Sequence, residues 1–183
     1  MAKQFPALLA EHRSFIARQP VFFVASAAAD GRVNLSPKGL DPLRVIDERT
    51  VCYLDRTGSG AEVAAHLRAD GRLTLMLCAF SGPPLILRLY GRGESLPRGG
   101  AAYGQLLAEV FGGAEPPGAR QIVRLDIDLV QTSCGFGVPL MDFVGERPSL
   151  DRWAQAQGEA GLSDYRRAKN ALSLDGLPTG LVD

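Results

Sequence analysis

Length, composition and charge limit what this chain does. It has 183 residues, of which 46% are hydrophobic and 22% charged, the balance of a soluble globular protein with its own core. Basic and acidic residues number 20 each, so no overall field draws the chain to nucleic acid or an anionic membrane. No apolar run approaches the ~20 residues of a spanning helix, and the first 13 residues lack a signal-peptide pattern. We therefore expect a cytoplasmic protein.

The first half of the sequence predicts one helix followed by four strands. Apolar residues recur at helical spacing over residues 4–19, and Pro20 ends this pattern. The pair Asp30-Gly31 separates two β-like runs, which indicates a hairpin. Turn-forming residues between the next two β-like runs, residues 43–46 and 50–54, indicate a second hairpin. The predicted strands of this half are residues 21–26, 32–35, 43–46 and 50–54.

The second half predicts further strands separated by short helices. Short strands at close spacing, without alternation of strands and long helices, are typical of an antiparallel barrel. We predict a mainly β fold, with a barrel domain over residues 1–148 and a helical extension over residues 149–183 that packs on it. The strands of this half are residues 72–80, 85–93 and 121–130, and the helices are residues 61–69, 101–110, 149–157 and 162–171.

The first of three polar segments is the strand that leads from Arg32 to Lys38. Pro37 interrupts its pairing, so nearby backbone N–H and C=O groups are free to bond the edge of a flat heterocycle. Lys38 adds a point positive charge for a phosphate or an electron-rich ring. The alternative is an ordinary exposed strand end with a lysine.

The second polar segment, residues 55–60, joins a strand to a helix. Arg56, the hydroxyls of Thr57 and Ser59, and the backbone amides at the helix start make a phosphate cradle. The alternative is that Ser59 caps the helix with Glu62 at the capping-box position, and the two roles are compatible.

The third polar segment, residues 131–139, follows the last predicted strand and begins with Gln131 and Thr132. It is suited to close over a ligand held by a partner subunit, and a tight turn that leaves the barrel is the alternative. Cys134 lies in this glycine-rich segment. Cys52 and Cys78 lie in apolar strand-like runs instead, so we expect both to be buried thiols.

The sequence lacks the motifs of several common enzyme classes. His12 and His66 are far apart, with no cysteine or carboxylate at ligand spacing, so we expect no metal site. The Gly91-Arg92-Gly93 run lacks the third glycine of a dinucleotide fingerprint, and neither a P-loop nor a G-x-S-x-G sequence occurs. Asp126 and Asp128 lie on the same face of a predicted strand, and the simplest interpretation is that this face is exposed to solvent. The candidate chemistry is confined to the three polar segments.

Taken in order, the three polar segments resemble the pyridoxamine 5′-phosphate oxidase-like family of FMN-binding split barrels over most of residues 21–144. The resemblance implies a six-stranded antiparallel split β-barrel and a homodimer with FMN at the subunit interface. The chain resembles a subgroup with the sequence Asn-Leu-Ser-Pro-Lys-Gly better than the vitamin B6 oxidase itself. Trp153 and Arg166 do not reproduce the C-terminal pattern of that enzyme.

The resemblance also implies roles for individual residues. The strand that ends at Lys38 lies along the flavin, and Tyr53 precedes the loop that grips the phosphate. Gly60-Ala61 stands where the family has a basic pair, so Arg56 substitutes for that pair. A Gln-Ser element of the partner subunit touches FMN, and Gln131-Thr132 stands in its place. The predicted cofactor-binding residues are Arg32, Val33, Asn34, Leu35, Ser36, Lys38, Tyr53, Arg56, Thr57, Gly58, Ser59, Gly60, Gln131 and Thr132.

The resulting functional hypothesis is an FMN-dependent oxidoreductase that acts on an unidentified small molecule. The protein would supply position and electrostatics, while the flavin carries the two-electron chemistry. No residue is singled out as an acid or a base. The alternatives are a non-catalytic flavin-binding or flavin-sensing module, and a barrel that holds a deazaflavin or haem. Haem would take an axial imidazole, which only His12 or His66 offers.

Overall fold

A single curled sheet organises the molecule. The computed structural model describes residues 2–182, and within that range it contains eight strands and four α-helices. Met1 and Asp183, the outer ends of the two predicted segments, lie outside the described residues. In chain order the elements are β1 (Lys3–Phe5), α1 (Ala10–Ile16), β2 (Phe22–Ser26), β3 (Asn34–Lys38), β4 (Leu43–Val45), β5 (Thr50–Arg56), α2 (Glu62–Ala69), β6 (Arg72–Cys78), β7 (Ile86–Pro97), α3 (Ala101–Phe111), β8 (Ala119–Ser133) and α4 (Ser149–Lys169).

The strands pair in the order β3-β2-β6-β7-β8-β5-β4, and β1 pairs with the last part of β8. All these pairs are antiparallel, and the sheet forms a half-barrel, which confirms the expected barrel with short helices. The six strands implied by the resemblance are too few, and the seven strands predicted from local patterns lack β1. β1 is too short to show the alternation of a strand, and its residues fit the helical spacing that predicts a helix over residues 4–19. The helix itself is confined to Ala10–Ile16.

Two apolar clusters lie on opposite faces of β5. Val51 and Tyr53 point into the main core, which the sheet forms with α1 and α2. Cys52 and Leu54, which alternate with them along the strand, belong to a smaller cluster with residues of α3. Both faces of β5 are therefore buried. Packing on both sides fixes the position of this strand, and with it the start of the second polar segment.

The register between β5 and β8 brings distant polar residues together. Asp55 is paired with Gln121, and Arg56 with Ala119, across a bulge between Asp55 and Arg56. The first residues of β8 therefore lie beside the end of β5, although more than 60 positions separate them in the sequence. Arg120, between Ala119 and Gln121, is buried there.

Pro37 does not end its strand, contrary to the sequence-based expectation. β3 continues through Pro37 to Lys38, which is paired with Phe22. β3 is an edge strand, and the missing N–H of proline is tolerated where it faces away from the neighbouring strand.

The C-terminal part of the chain is helical. Ser149–Lys169 is divided at Gly158, whose φ of 63° and ψ of 176° are not helical, and the two halves match the two predicted helices. The rings of Trp153 and Tyr165, one from each half, make an edge contact at 5.0 Å between centroids. None of the helices within residues 2–182 has the length and apolar character to cross a membrane.

We predict that Gly91→Ala strongly destabilises the fold. Gly91 lies at the bulge between β7 and β8, where a Cβ would overlap the carbonyl oxygen of Asp126. The free energy of unfolding, measured with denaturant, is expected to fall by about 1–3 kcal/mol. Gly104→Ala is the matched control, because Gly104 is in α3 with open space around it, and there alanine should stabilise by ~0.5–1 kcal/mol. Equal effects of the two changes would contradict this reading of the bulge.

Candidate functional site

A cleft of about 750 Å³ lies between β3, the loop after β5 and the end of α3. This is within the range of roughly 300–1,000 Å³ typical of small-molecule sites. Its walls include two of the three predicted polar segments, which the fold brings face to face. The lining residues of these two segments are Asn34, Ser36, Pro37 and Lys38 from β3, Asp55 and Arg56 from the end of β5, and Thr57, Gly58, Ser59 and Gly60 from the loop after it.

Val33 and Leu35 differ from their neighbours Asn34 and Ser36 in the same strand. Val33 and Leu35 are 73% and 65% exposed and do not line the cleft, because alternate residues of a strand face opposite sides. Arg32 is also outside the cleft, with its backbone N–H and its guanidinium both bonded to the carboxylate of Asp175.

The third polar segment is distant from the cleft within one chain. Gln131 and Thr132 are near the far end of β8, about ten residues beyond Gln121, or ~33 Å at the usual rise of a strand. Thr132 is paired with Lys3 of β1, and Gln131 accepts a hydrogen bond from Tyr90 at 3.4 Å. These two residues therefore do not reach the cleft of their own subunit.

Beneath the cleft, a buried carboxylate holds three polar side chains. Asp55 is 3% exposed, and its Oδ1 accepts a bond from Lys38 Nζ at 2.6 Å. Its Oδ2 accepts bonds from Arg120 Nε and Gln121 Nε2, both at 2.8 Å. Burial by itself raises the pKa of Asp55, but Arg120 and Lys38 outweigh it and hold the pKa well below its ordinary value. Asp55 is consequently ionised at neutral pH.

This network is not evident from the sequence. Asp55 belongs to the second polar segment, but Arg120 and Gln121 join it only through the register of β5 with β8. A signal was nonetheless present, because Arg120 and Gln121 are polar residues at the start of an apolar strand. Such residues need buried partners if that strand start is covered.

Tyr53 lies under Lys38 and outside the cleft walls. Its ring centroid is 5.7 Å from Lys38 Nζ and 5.5 Å from the ring of Phe22. The phenol is 1% exposed, and its oxygen has no hydrogen-bond partner among residues 2–182. Burial, with the charge of Asp55 second, raises the pKa of Tyr53 well above its usual value. The side chain therefore remains a neutral support for Lys38.

The end of β5 and the loop after it are held by the segment before β8 and by α4. Arg56 donates to the carbonyl of Pro117 at 2.9 Å and forms an ion pair with Asp151. Thr57 Oγ1 accepts a bond from Arg166 Nε at 2.9 Å. Arg56, predicted to bind phosphate, thus already has a carboxylate partner in this structure.

The alternative that Ser59 caps α2 is wrong. The cap position is occupied by Ala61, no side chain bonds there, and Ser59 is exposed. Glu62, expected to complete a capping box, instead accepts the backbone N–H of Leu174 at 3.0 Å. The loop therefore extends two residues further than a Ser59 cap would allow. Among residues 2–182, the amides of Ser59 and Gly60 have no hydrogen-bond acceptor.

Neither histidine lines the cleft. His12 of α1 accepts the N–H of Leu9 at 3.1 Å through Nδ1, and its burial lowers its pKa. The Nδ1 atom of His66, in α2, lies 3.0 Å from the hydroxyl oxygen of Ser26. Both imidazoles are buried in helix packing. The imidazole that haem would take as axial ligand is thus not offered at this cleft by either residue.

We predict that Asp55 makes stability depend on acid pH. Its folded pKa is depressed from 3.8, so its contribution is fully present above about pH 5 and is lost as pH falls toward the folded value. Asp55→Asn leaves Lys38 and Arg120 without their counter-charge and should cost about 3–5 kcal/mol at pH 7. Unfolding by urea at several pH values measures both proteins. Their difference should shrink between about pH 5 and pH 2, and a constant difference would contradict the prediction.

Comparison with known proteins agrees with this fold. Residues 8–134 match the family model of pyridoxamine 5′-phosphate oxidase. The chain is 40% identical over 182 residues to the pyridoxamine 5′-phosphate oxidase family protein ustO of Aspergillus flavus, covering 91% of this chain and 73% of that protein.

Solved structures share the fold at lower identity. A single-residue variant of HupZ from Group A Streptococcus has a TM-score of 0.54 at 19% identity, over 68% of this chain and 98% of that one. A candidate pyridoxamine 5′-phosphate oxidase from Lactobacillus delbrueckii also has a TM-score of 0.54, at 20% identity, over 69% of this chain and 94% of its own. The matched residues and the relative at 40% identity establish that this chain belongs to the pyridoxamine 5′-phosphate oxidase family.

Proposed function

We propose that the cleft binds FMN and that the protein is an FMN-dependent oxidoreductase acting on a small molecule. The observation that carries the proposal is the meeting of the Lys38 strand with the loop of residues 57–60 across one cleft. FMN has a phosphate at one end and a flat polar ring at the other. The loop wall offers groups for the phosphate, and the Lys38 wall offers groups for the ring. Only the fold brings these two walls to one cleft.

The loop supplies the features that a phosphate needs. The amides of Ser59 and Gly60, without acceptors among residues 2–182, precede α2, whose N-terminus carries a partial positive charge. Gly58 has open space where a Cβ would be, so a ligand can approach its backbone closely. Arg56 adds a fixed positive charge to the same wall.

The opposite wall suits the ring. Asn34 and Ser36 present polar side chains from β3, and Asp55 fixes the ammonium of Lys38 at 2.6 Å. A fixed cation beside the ring would stabilise negative charge on the flavin when it is reduced. The bound flavin would supply the two-electron chemistry, and the protein would position it.

We further propose a homodimer in which the partner completes each site. Gln131 and Thr132 do not reach their own cleft, so their predicted contact with FMN requires a second subunit. The segment after β8 exposes several apolar side chains, and Val144 is 99% exposed. Apolar groups that adjoin along a chain and face solvent mark an interaction surface. The exposed side chains are Phe136, Leu140, Met141, Phe143 and Val144.

A non-catalytic flavin-binding role is the second candidate, favoured by the pairing of charged groups in the cleft. Each of the four carboxylates that line it, Asp41, Asp55, Glu62 and Glu115, accepts a hydrogen bond from within residues 2–182. A poised acid or base would need a freer group. Reduction of bound flavin by NADH or NADPH, followed by oxygen uptake, supports the oxidoreductase. Bound flavin that neither nicotinamide reduces supports the non-catalytic role.

The purified protein is expected to bind FMN at micromolar concentration, with flavin fluorescence as the measurement. Arg56→Ala removes a charge-assisted contact and should weaken FMN binding by about 10- to 150-fold. Riboflavin has no phosphate, so its affinity should change little. Wild-type protein that binds neither flavin would overturn the proposed function.

Asp151→Asn is the matched control for Arg56→Ala. Both changes break the Arg56–Asp151 ion pair, but only one removes the arginine charge. If Arg56 acts on the phosphate, FMN affinity should fall in Arg56→Ala and not in Asp151→Asn. An equal loss in both variants would assign Arg56 a structural role.

Light scattering tests the dimer. The wild-type mass should be about twice the 19.5 kDa of one chain at micromolar concentration. The double variant Leu140→Asp/Val144→Asp places charges on the proposed interface and should shift the protein toward the monomer. Leu172→Asp, which changes an apolar residue exposed elsewhere, is the control and should remain dimeric. A wild-type monomer with flavin bound would contradict the proposed dimer.

A further inference from the structure

We infer that Asn170 positions the phosphate-binding loop, and that the C-terminal segment, residues 149–182, is thereby part of the cofactor site. The inference rests on the proposed FMN site and adds a residue from outside the family match, which ends at residue 134. Asn170 is at the C-terminal end of α4 and is 0% exposed.

The side chain of Asn170 joins the loop to the buried network. Its Nδ2 donates to the carbonyl of Gly58 at 3.0 Å, and its Oδ1 accepts from Arg120 at 2.8 Å. Arg120 in turn holds Asp55, which holds Lys38. One buried amide therefore connects the loop wall of the cleft with the Lys38 wall.

The bond to Gly58 determines where the next amide points. In a trans peptide the C=O and the N–H that follows it point in opposite directions, and all described peptide bonds are trans. Because Asn170 holds the Gly58 carbonyl on the buried side, the N–H of Ser59 is directed to the other side. Ser59 is exposed and lines the cleft there. The amide is thus presented to a ligand.

The backbone of Asn170 is fixed as well. Its N–H donates to the carbonyl of Arg166 at 2.7 Å, and its carbonyl accepts the hydroxyl of Thr179 at 2.6 Å. The side chain is consequently supported from both sides of its own segment. A positioning residue requires such support, because a mobile side chain cannot hold another group in one orientation.

The test compares Asn170→Ala with Ser173→Ala. Ser173 is buried in the same segment, and its hydroxyl bonds only to Leu177 among residues 2–182, so its loss perturbs the segment without touching the loop. For each variant the affinities for FMN and riboflavin are measured by fluorescence, with the unfolding midpoint as a check on folding. Where Asn170→Ala does not fold, Asn170→Ser replaces it, because a serine hydroxyl is too short to reach both partners.

The ratio of the two affinities is the readout, since general loosening weakens both flavins together. Asn170→Ala should lower the preference for FMN over riboflavin about 10-fold, and Ser173→Ala should leave it unchanged. Equal weakening of both ligands by Asn170→Ala, or an unchanged ratio, would overturn the inference.

Inorganic phosphate alone separates this inference from the proposed function. In a chemical-shift titration, phosphate should move the amide resonances of Ser59 and Gly60 in the wild type and not in Asn170→Ala. That outcome supports the role of Asn170 even if no flavin binds. Amides that do not respond in the wild type, or that respond equally in both proteins, would refute it.

Discussion

The ion cluster around Asp55 is the interaction on which the candidate site depends. A carboxylate that is 3% exposed is costly to bury unless its oxygens are fully bonded, and here Lys38, Arg120 and Gln121 supply the bonds. These partners come from β3 and β8, while Asp55 lies near the end of β5. The cluster therefore fixes the relative positions of three strands at the floor of the cleft. A change in either charged partner or in Asp55 leaves the others with uncompensated charge.

The secondary structure was largely predictable from local patterns. The β2–β3 and β4–β5 hairpins and helix α2 follow from turn residues and apolar periodicity, and each occurs near its predicted position. The local patterns predict seven of the eight strands and miss β1, which has only three residues and is held by its pairing with β8. Pairing between distant segments leaves no trace in local spacing.

The candidate site was predictable only in part, for the same reason. Ser59 illustrates the limit, since its sequence context fits a helix cap equally well and only the start of α2 at Glu62 distinguishes the two. Arg120 and Asn170 are more extreme cases. Each is an ordinary polar residue in sequence, and each acquires its place through contacts with residues at least 50 positions away.

Charge balance in the cleft indicates how a ligand would be selected. Lys38, Arg56 and Arg120 are paired with Asp55 or Asp151, so the walls exert little net attraction on a distant anion. Specificity for a ligand would then come from short-range geometry. The ligand would have to contact the backbone amides of the loop and the fixed ammonium of Lys38 at the same time. Such contacts would bind a molecule that has a phosphate and a polar ring at the right separation more tightly than a molecule that has only charge. Under the proposed function, a cleft whose charges are paired in this way would discriminate between ligands by shape and by short-range hydrogen bonds.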